Sequence, residues 1–131
     1  MADRNDVFKC LVCGNVVSVI IGNSGELTCC EKPMKKMMEI DPSREEGKEK
    51  HVPNIEIKDN NMVLVKLGKD ISHPMELDHL IEEIELIEEN GDIHICKLIA
   101  GDVPEALFKV KSTVGLKARA YCNLHGLWKS K

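Results

Sequence analysis

The sequence is poor in aromatic residues. Phe8, Phe108, Tyr121 and Trp128 are the only four in 131 residues, so a core has to be assembled from Val, Ile, Leu and Met. There is no surplus of positive charge. Lys and Arg total 18 against 22 Asp and Glu, a net charge of −4, whereas a nucleic-acid binder carries a basic patch or stripe. No apolar run reaches the length that spans a bilayer. The opening residues, Met-Ala-Asp-Arg-Asn-Asp, lack the apolar stretch of a secretory signal. These absences predict a cytoplasmic protein that engages neither nucleic acid nor membrane. In a reducing cytoplasm the six cysteines point to metal ligation before disulfides.

The cysteines and histidines are unevenly spread. Cys10, Cys13, Cys29 and Cys30 fall in the first 30 residues, and Cys96 and Cys122 lie far downstream. All five histidines lie at or after His51. Two metal chemistries in two units are the natural reading. Between them runs the polar stretch from Asp41 to Lys50, with a Pro and a Gly and no apolar periodicity, whose first part reads as a linker. The first unit is too short to fold on hydrophobic burial alone and needs a metal or crosslinks.

Downstream of the linker the pattern is mainly of short strands. Residues 54–58 and 62–67 flank an Asp59-Asn60-Asn61 turn, and 93–99, 107–111 and 114–121 are further strand candidates. One segment conflicts: Leu77, Leu80, Ile81, Ile84 and Ile87 recur at helical spacing, which predicts a helix over 76–89.

Cys10-Leu11-Val12-Cys13-Gly14 is a knuckle that brings two thiolates to one metal, with Gly permitting the tight backbone. Cys29-Cys30 supplies a second pair, adjacent in sequence and so less relaxed in its approach. Four thiolates form a closed tetrahedral site suited to structural support or electron transfer. Spacing alone leaves zinc, iron and two disulfides open. Further on, His51, His73, His79 and His125 are joined by Cys122, which forms a C-x2-H pair with His125. Prolines follow His73 directly and His51 after one residue, favouring extended, rigid ligand segments. Zinc prefers four ligands, whereas iron accepts more, and five protein donors leave a position for a small molecule. A thiolate donor pushes electron density onto the metal, as in the thiolate haem enzymes.

These motifs together resemble the desulfoferrodoxin family, the two-iron superoxide reductases. The likeness is carried by Lys9-Cys10-Leu11-Val12-Cys13-Gly14-Asn15, by Gly25-Glu26-Leu27-Thr28-Cys29-Cys30 with Pro33-Met34, and by Lys48-Glu49-Lys50-His51-Val52-Pro53. It continues in His73-Pro74-Met75-Glu76, His79 and Tyr121-Cys122-Asn123-Leu124-His125-Gly126-Leu127-Trp128. The resemblance implies a mainly β chain: a small desulforedoxin-like domain over 1–38, a linker and active-site loop over 39–50, and an immunoglobulin-like β-sandwich over 51–131. It implies two irons, one bound by Cys10, Cys13, Cys29 and Cys30. The other has His51, His73, His79 and His125 as equatorial ligands and Cys122 as axial thiolate. Glu49 and Lys50 would sit on a loop at the mouth of that second site. The implied activity is one-electron reduction of superoxide to hydrogen peroxide, with re-reduction by an external donor such as rubredoxin, in a homodimer.

The resemblance also makes 80–87 a strand, against the local pattern. Leu80 and Glu83 stand where the family often has aromatics, and His94 and Cys96 match no ligand. His94 is expected to be exposed, Cys96 to be a small buried residue, and Trp128 to pack over the Cys122–His125 loop. Met34, Met37 and Met38 are expected to fill core or a dimer contact. The competing classes are a pure electron carrier, a zinc-stabilised binding module and a dismutase.

Overall fold

Strands of two or three residues carry the first part of the chain. The computed structural model describes residues 2–41, 51–68 and 72–130, and contact density divides the chain into two units, Met1–Met38 and Glu39–Lys131. In the first unit, β1 (Val7–Lys9) lies between β2 (Val16–Ser18) and a later strand. β3 (Thr28–Cys29) and β4 (Lys32–Pro33) form a separate hairpin, and β5 (Lys35–Lys36) completes the sheet on β1. The buried apolar side chains described in this unit are Ala2, Val7, Cys10 and Val19. That is too little core to stabilise a unit of this size without crosslinks or a metal. Met34 and Met37 are half-buried and Met38 is exposed, so Met38 adds nothing to that core.

The second unit is a sandwich of two antiparallel sheets. Its strands are β6 (Pro53–Ile57), β7 (Met62–Leu67), β8 (Ile81–Ile87), β9 (Ile93–Lys97), β10 (Glu105–Lys109), β11 (Lys117–Cys122) and β12 (Gly126–Lys129). One sheet runs β10-β7-β6 and the other β12-β11-β8-β9. Asn60 and Asn61 both have φ of 59°, the left-handed region that Asn tolerates better than most residues, and this closes β6 onto β7. Alternation then fixes the faces. Val63, Val65 and Leu67 of one sheet meet Ile84, Leu86, Ala118, Ala120 and Cys122 of the other in a single apolar core. No described helix is long and apolar enough to cross a membrane.

The strand that the resemblance implies over 80–87 is present, and the local helical pattern over 76–89 is overridden. Residues 81–87 are β8, hydrogen-bonded to β11 on one side and β9 on the other. The period was misleading because β8 is buried on both faces: Ile84 and Leu86 join the core, while Glu85 is buried on the outer face. Central strands lose the clean alternation that marks a half-exposed one. Leu77, which completed the false helical stripe, is 90% exposed in a loop.

Two expectations about β9 also change. His94 is not a free surface residue: its Nε2 lies 2.7 Å from Oε2 of buried Glu88, whose other oxygen accepts the Lys111 and Ser112 N–H groups at 3.0 and 3.2 Å. His94, and then these N–H groups, hold the Glu88 carboxyl below its ordinary range despite burial. This knot lies beyond Ile87, at the far end of the sheet from Cys122. Cys96 is half-buried and packs against the edge of the core.

Candidate metal centres

In the first unit the backbone turns bring four sulfurs together. Gly14, at φ 84°, lets its N–H reach the Cys10 carbonyl at 3.0 Å and closes the knuckle. The Cys13 N–H points at Cys10 Sγ, 3.4 Å away. The adjacent pair is explained by the turn between β3 and β4. Cys30 and Glu31 both have positive φ, 53° and 62°, the two left-handed residues of a type I′ hairpin turn. Neither is Gly or Asn, so the conformation costs about 1–2 kcal/mol per residue. It places Cys29 Sγ 3.6 Å from Cys13 Sγ and 4.0 Å from Cys30 Sγ. Cys10, Cys13, Cys29 and Cys30 thereby form one set of metal-donor atoms.

The electrostatics of this set call for a cation. The Cys13 backbone N–H, above all, lowers the Cys10 thiol to about 6. Neighbouring sulfurs, Cys13 first, push Cys30 up to about 12, and Cys10 likewise raises Cys29. One thiolate forms readily and the next are opposed by it. A metal of tetrahedral sulfur preference removes that conflict by deprotonating all four.

In the second unit His51, His73, His79, His125 and Cys122 place one donor atom each within 4.8 Å of all the others. The four imidazoles form a closed ring. Each contacts the next, in the order His51, His73, His79, His125 and back to His51, edge-on, with centroids 4.7 to 4.9 Å apart and planes 70 to 79° apart. Cys122 Sγ lies 3.4 Å from His73 Nε2 and 3.6 Å from His125 Nδ1. The set runs from core to solvent: Cys122 is fully buried, His51 and His73 are buried, His79 is half-exposed and His125 exposed.

Local structure fixes which nitrogen each ring presents. His73 Nδ1 donates to the Pro74 carbonyl at 2.7 Å, leaving Nε2 with its lone pair towards Cys122. Burial, opposed by the Pro74 bond, lowers His73 to about 4, so it is a neutral ligand at neutral pH. His125 lies three residues from Cys122 on the β11–β12 turn and presents Nδ1 instead, 3.1 Å from His51 Nε2 and 3.2 Å from His79 Nε2. Gly126, at φ 89°, allows that turn. Burial raises the Cys122 thiol, while the Leu124 and His125 N–H groups pull it down. Those N–H groups favour the thiolate, and a cation held by His51, His73, His79 and His125 would complete its stabilisation.

Trp128 does more than cover the loop. Its ring stacks on His51 at 4.6 Å and 14°, and its Nε1 donates to the His125 carbonyl at 3.0 Å. Asn123 is a contributor that ligand spacing did not single out; its side chain binds both sides of His79, at the Asp78 carbonyl and the Leu80 N–H. Glu49 and Lys50 lie outside the described residues.

Comparison with known proteins agrees with both centres. A family model described as desulfoferrodoxin matches residues 43–131. A second, described as desulfoferrodoxin, N-terminal domain, matches 2–37. A desulfoferrodoxin homolog from Archaeoglobus fulgidus is 50% identical over 130 residues, covering 99% of each chain. The crystal structure of the superoxide reductase from Treponema pallidum superposes over 100% of both chains with a TM-score of 0.76 at 25% identity. A one-iron superoxide reductase from Giardia intestinalis covers 63% of this chain and 95% of its own, with a TM-score of 0.54 at 33% identity.

Proposed function

Because the chain belongs to the desulfoferrodoxin family, we propose that it is a superoxide reductase that turns superoxide into hydrogen peroxide at the His4Cys centre. The observation that carries this reading is the closed ring of four imidazoles with a buried cysteine beside it. Two irons fit the two donor sets, since tetrathiolate sites suit iron and a five-donor set exceeds what zinc prefers. Iron bound at the five-donor set supplies the electron that superoxide accepts.

The residues around that set do the remaining work. His51, His73, His79 and His125 present ring nitrogens, and Cys122 would present to a bound metal a thiolate whose negative charge favours giving up an electron. Trp128 keeps water from the back of His51. Lys50 draws the superoxide anion towards the mouth of an otherwise acidic protein. Glu49, on the same segment, would serve as a further ligand to the oxidised centre, as the family resemblance implies. Cys10, Cys13, Cys29 and Cys30 hold the second iron, which supports the small unit and serves electron transport. A one-electron donor such as rubredoxin restores the reduced state. The protein works in the cytoplasm as a homodimer. Ile20 and Ile21, 79% and 80% exposed, support a partner surface on the first unit.

Metal analysis and visible spectra, combined with superoxide consumption by the purified chain, test the function. The expected result is two irons per chain, a new absorption band on oxidising the second iron, and peroxide produced with no dioxygen from superoxide. One zinc, no colour and no superoxide reaction would overturn it. Replacing Lys50 with Ile is expected to slow the bimolecular reaction on the order of tenfold and to flatten its dependence on salt. An unchanged rate and salt slope would remove Lys50 from the mechanism.

A further inference from the structure

The loop that carries His79 has little of its own to hold it. Glu76 and His79 exchange backbone hydrogen bonds at 2.9 and 3.1 Å, which closes a tight turn. Between Met75, which packs against the core, and Leu80, which is 8% exposed, no apolar side chain anchors the turn: Leu77 is 90% exposed. The β8–β11 ladder could continue past it, but it ends at Cys122 opposite Ile81 with a register shift between Tyr121 and Cys122. From there β11 turns away to bring His125 into the ring. Beyond Ile81 the regular ladder therefore stops beside His79, and one backbone bond, from the Asn123 N–H to the Leu80 carbonyl, reaches across.

Asn123 fills that gap with its side chain. Its backbone N–H donates to the Leu80 carbonyl at 3.2 Å. Its Oδ1 accepts the Leu80 N–H at 3.0 Å, and its Nδ2 donates to the Asp78 carbonyl at 3.0 Å. A primary amide has the donor and acceptor of a peptide group, so Asn123 continues the ladder with side-chain atoms. The two side-chain bonds lie on either side of His79. The residue that makes them stands between Cys122 and His125, which are themselves donors in the set. Asp would keep the acceptor and set a carboxylate against the Asp78 carbonyl, while Ala would remove both bonds.

We propose that Asn123 is a positioning residue: its amide locks His79 in register with Cys122 and His125, so that the imidazole ring closes before metal arrives. The inference rests on the proposed function, in that the closed ring is taken to hold iron. Its role differs from that of Trp128, which touches the His51 ring itself.

The test uses full-length protein carrying both irons, challenged with excess EDTA in the absence of denaturant. Asn123→Ala is expected to lose iron from the His4Cys centre on the order of tenfold faster than the parent, as outer partners of metal ligands commonly contribute. The tetrathiolate iron should leave at the parental rate. The oxidised-state absorption band should also shift or broaden, and the Leu80 amide should exchange faster with deuterium. A merely structural role would lower the unfolding midpoint and leave the band and the ratio of the two iron-loss rates unchanged; that result would overturn the proposal. If Asn123→Ala does not fold, Asn123→Asp decides by the same readings, with parental behaviour again counting against it. Parent protein that retains no iron at the His4Cys centre would sink the proposed function itself, whereas retained iron with an indifferent variant would sink only the role of Asn123.

Discussion

Replacing Cys122 with Ser is expected to leave the fold in place and cut superoxide reduction on the order of a hundredfold or more, with loss of the thiolate absorption of the oxidised protein. Direct ligands contribute at least as much as the outer partners whose loss commonly costs up to about that factor. Cys122 is fully buried, belongs to the apolar core and lies against the ring beside His73 and His125. Serine has nearly the same shape, so the core loses little volume. Its hydroxyl does not ionise at neutral pH, and it offers a hard oxygen in place of a soft sulfur. The Leu124 and His125 N–H groups then face a neutral oxygen, and the burial that raises the thiol leaves no negative charge for a metal to stabilise. Stopped-flow measurement of superoxide decay, with circular dichroism of the same preparation, checks both halves of the expectation. A folded variant that reacts at the parental rate would mean that Cys122 is not the electron-rich donor.

The ligands were legible because metal chemistry restricts residue type and local spacing together: Cys10 with Cys13 and Cys122 with His125 are short-range pairs, and the prolines after His51 and His73 mark stiff segments. Turns were legible where the residue suited the backbone, as at Asn60 and Asn61. Other features depend on contacts between distant residues. Glu85 is buried opposite Arg119, 34 positions later, and without that knowledge the local pattern of β8 looks helical, so the strand was legible only through the family resemblance. The turn that brings Cys29 and Cys30 to one point uses left-handed Cys30 and Glu31, neither of which advertises that conformation. His125 presents Nδ1 while His51, His73 and His79 present Nε2, a choice made by the shape of the β11–β12 turn. Asn123 was visible within the C-N-x-H motif, but its bonds to Asp78 and Leu80 span 45 and 43 positions. His94 looked free although its partner is near in sequence, because Glu88 meets it only once the β8–β9 turn has closed.

The second large effect is on stability and lies on the outer face of the four-stranded sheet. Arg119 Nε donates to Glu85 Oε1 at 2.8 Å, and Nη2 lies 2.6 Å from the same oxygen. Nη1 donates to Glu39 Oε2 at 3.1 Å, and Glu39 also meets Lys117 at 2.6 Å. Burial pushes the Glu39 carboxyl up, but Lys117 and then Arg119 outweigh it and hold it below its ordinary range. Arg119→Leu keeps the apolar bulk and leaves Glu85, 4% exposed, without its cation. Breaking a buried pair in this way costs about 3–5 kcal/mol, and urea unfolding at neutral pH should show a loss of that size. The loss should shrink at acid pH, because Glu39, which Lys117 and Arg119 hold below its ordinary range, is then protonated and no longer needs the guanidinium. Glu83 gives a reading of opposite sign. Burial, and then Glu85, raise it to about 8, so in the folded protein it holds a proton that the unfolded chain releases near 4.5. Between those values the native state binds more protons than the unfolded one, and stability falls as pH rises. Glu83→Gln keeps a donor beside Glu85 and removes that titration, so it should raise stability at neutral pH and flatten the decline. If Arg119→Leu costs under about 1 kcal/mol, the size of an exposed pair, or if Glu83→Gln leaves the pH profile unchanged, water screens this face and the network does not hold β8 to β11.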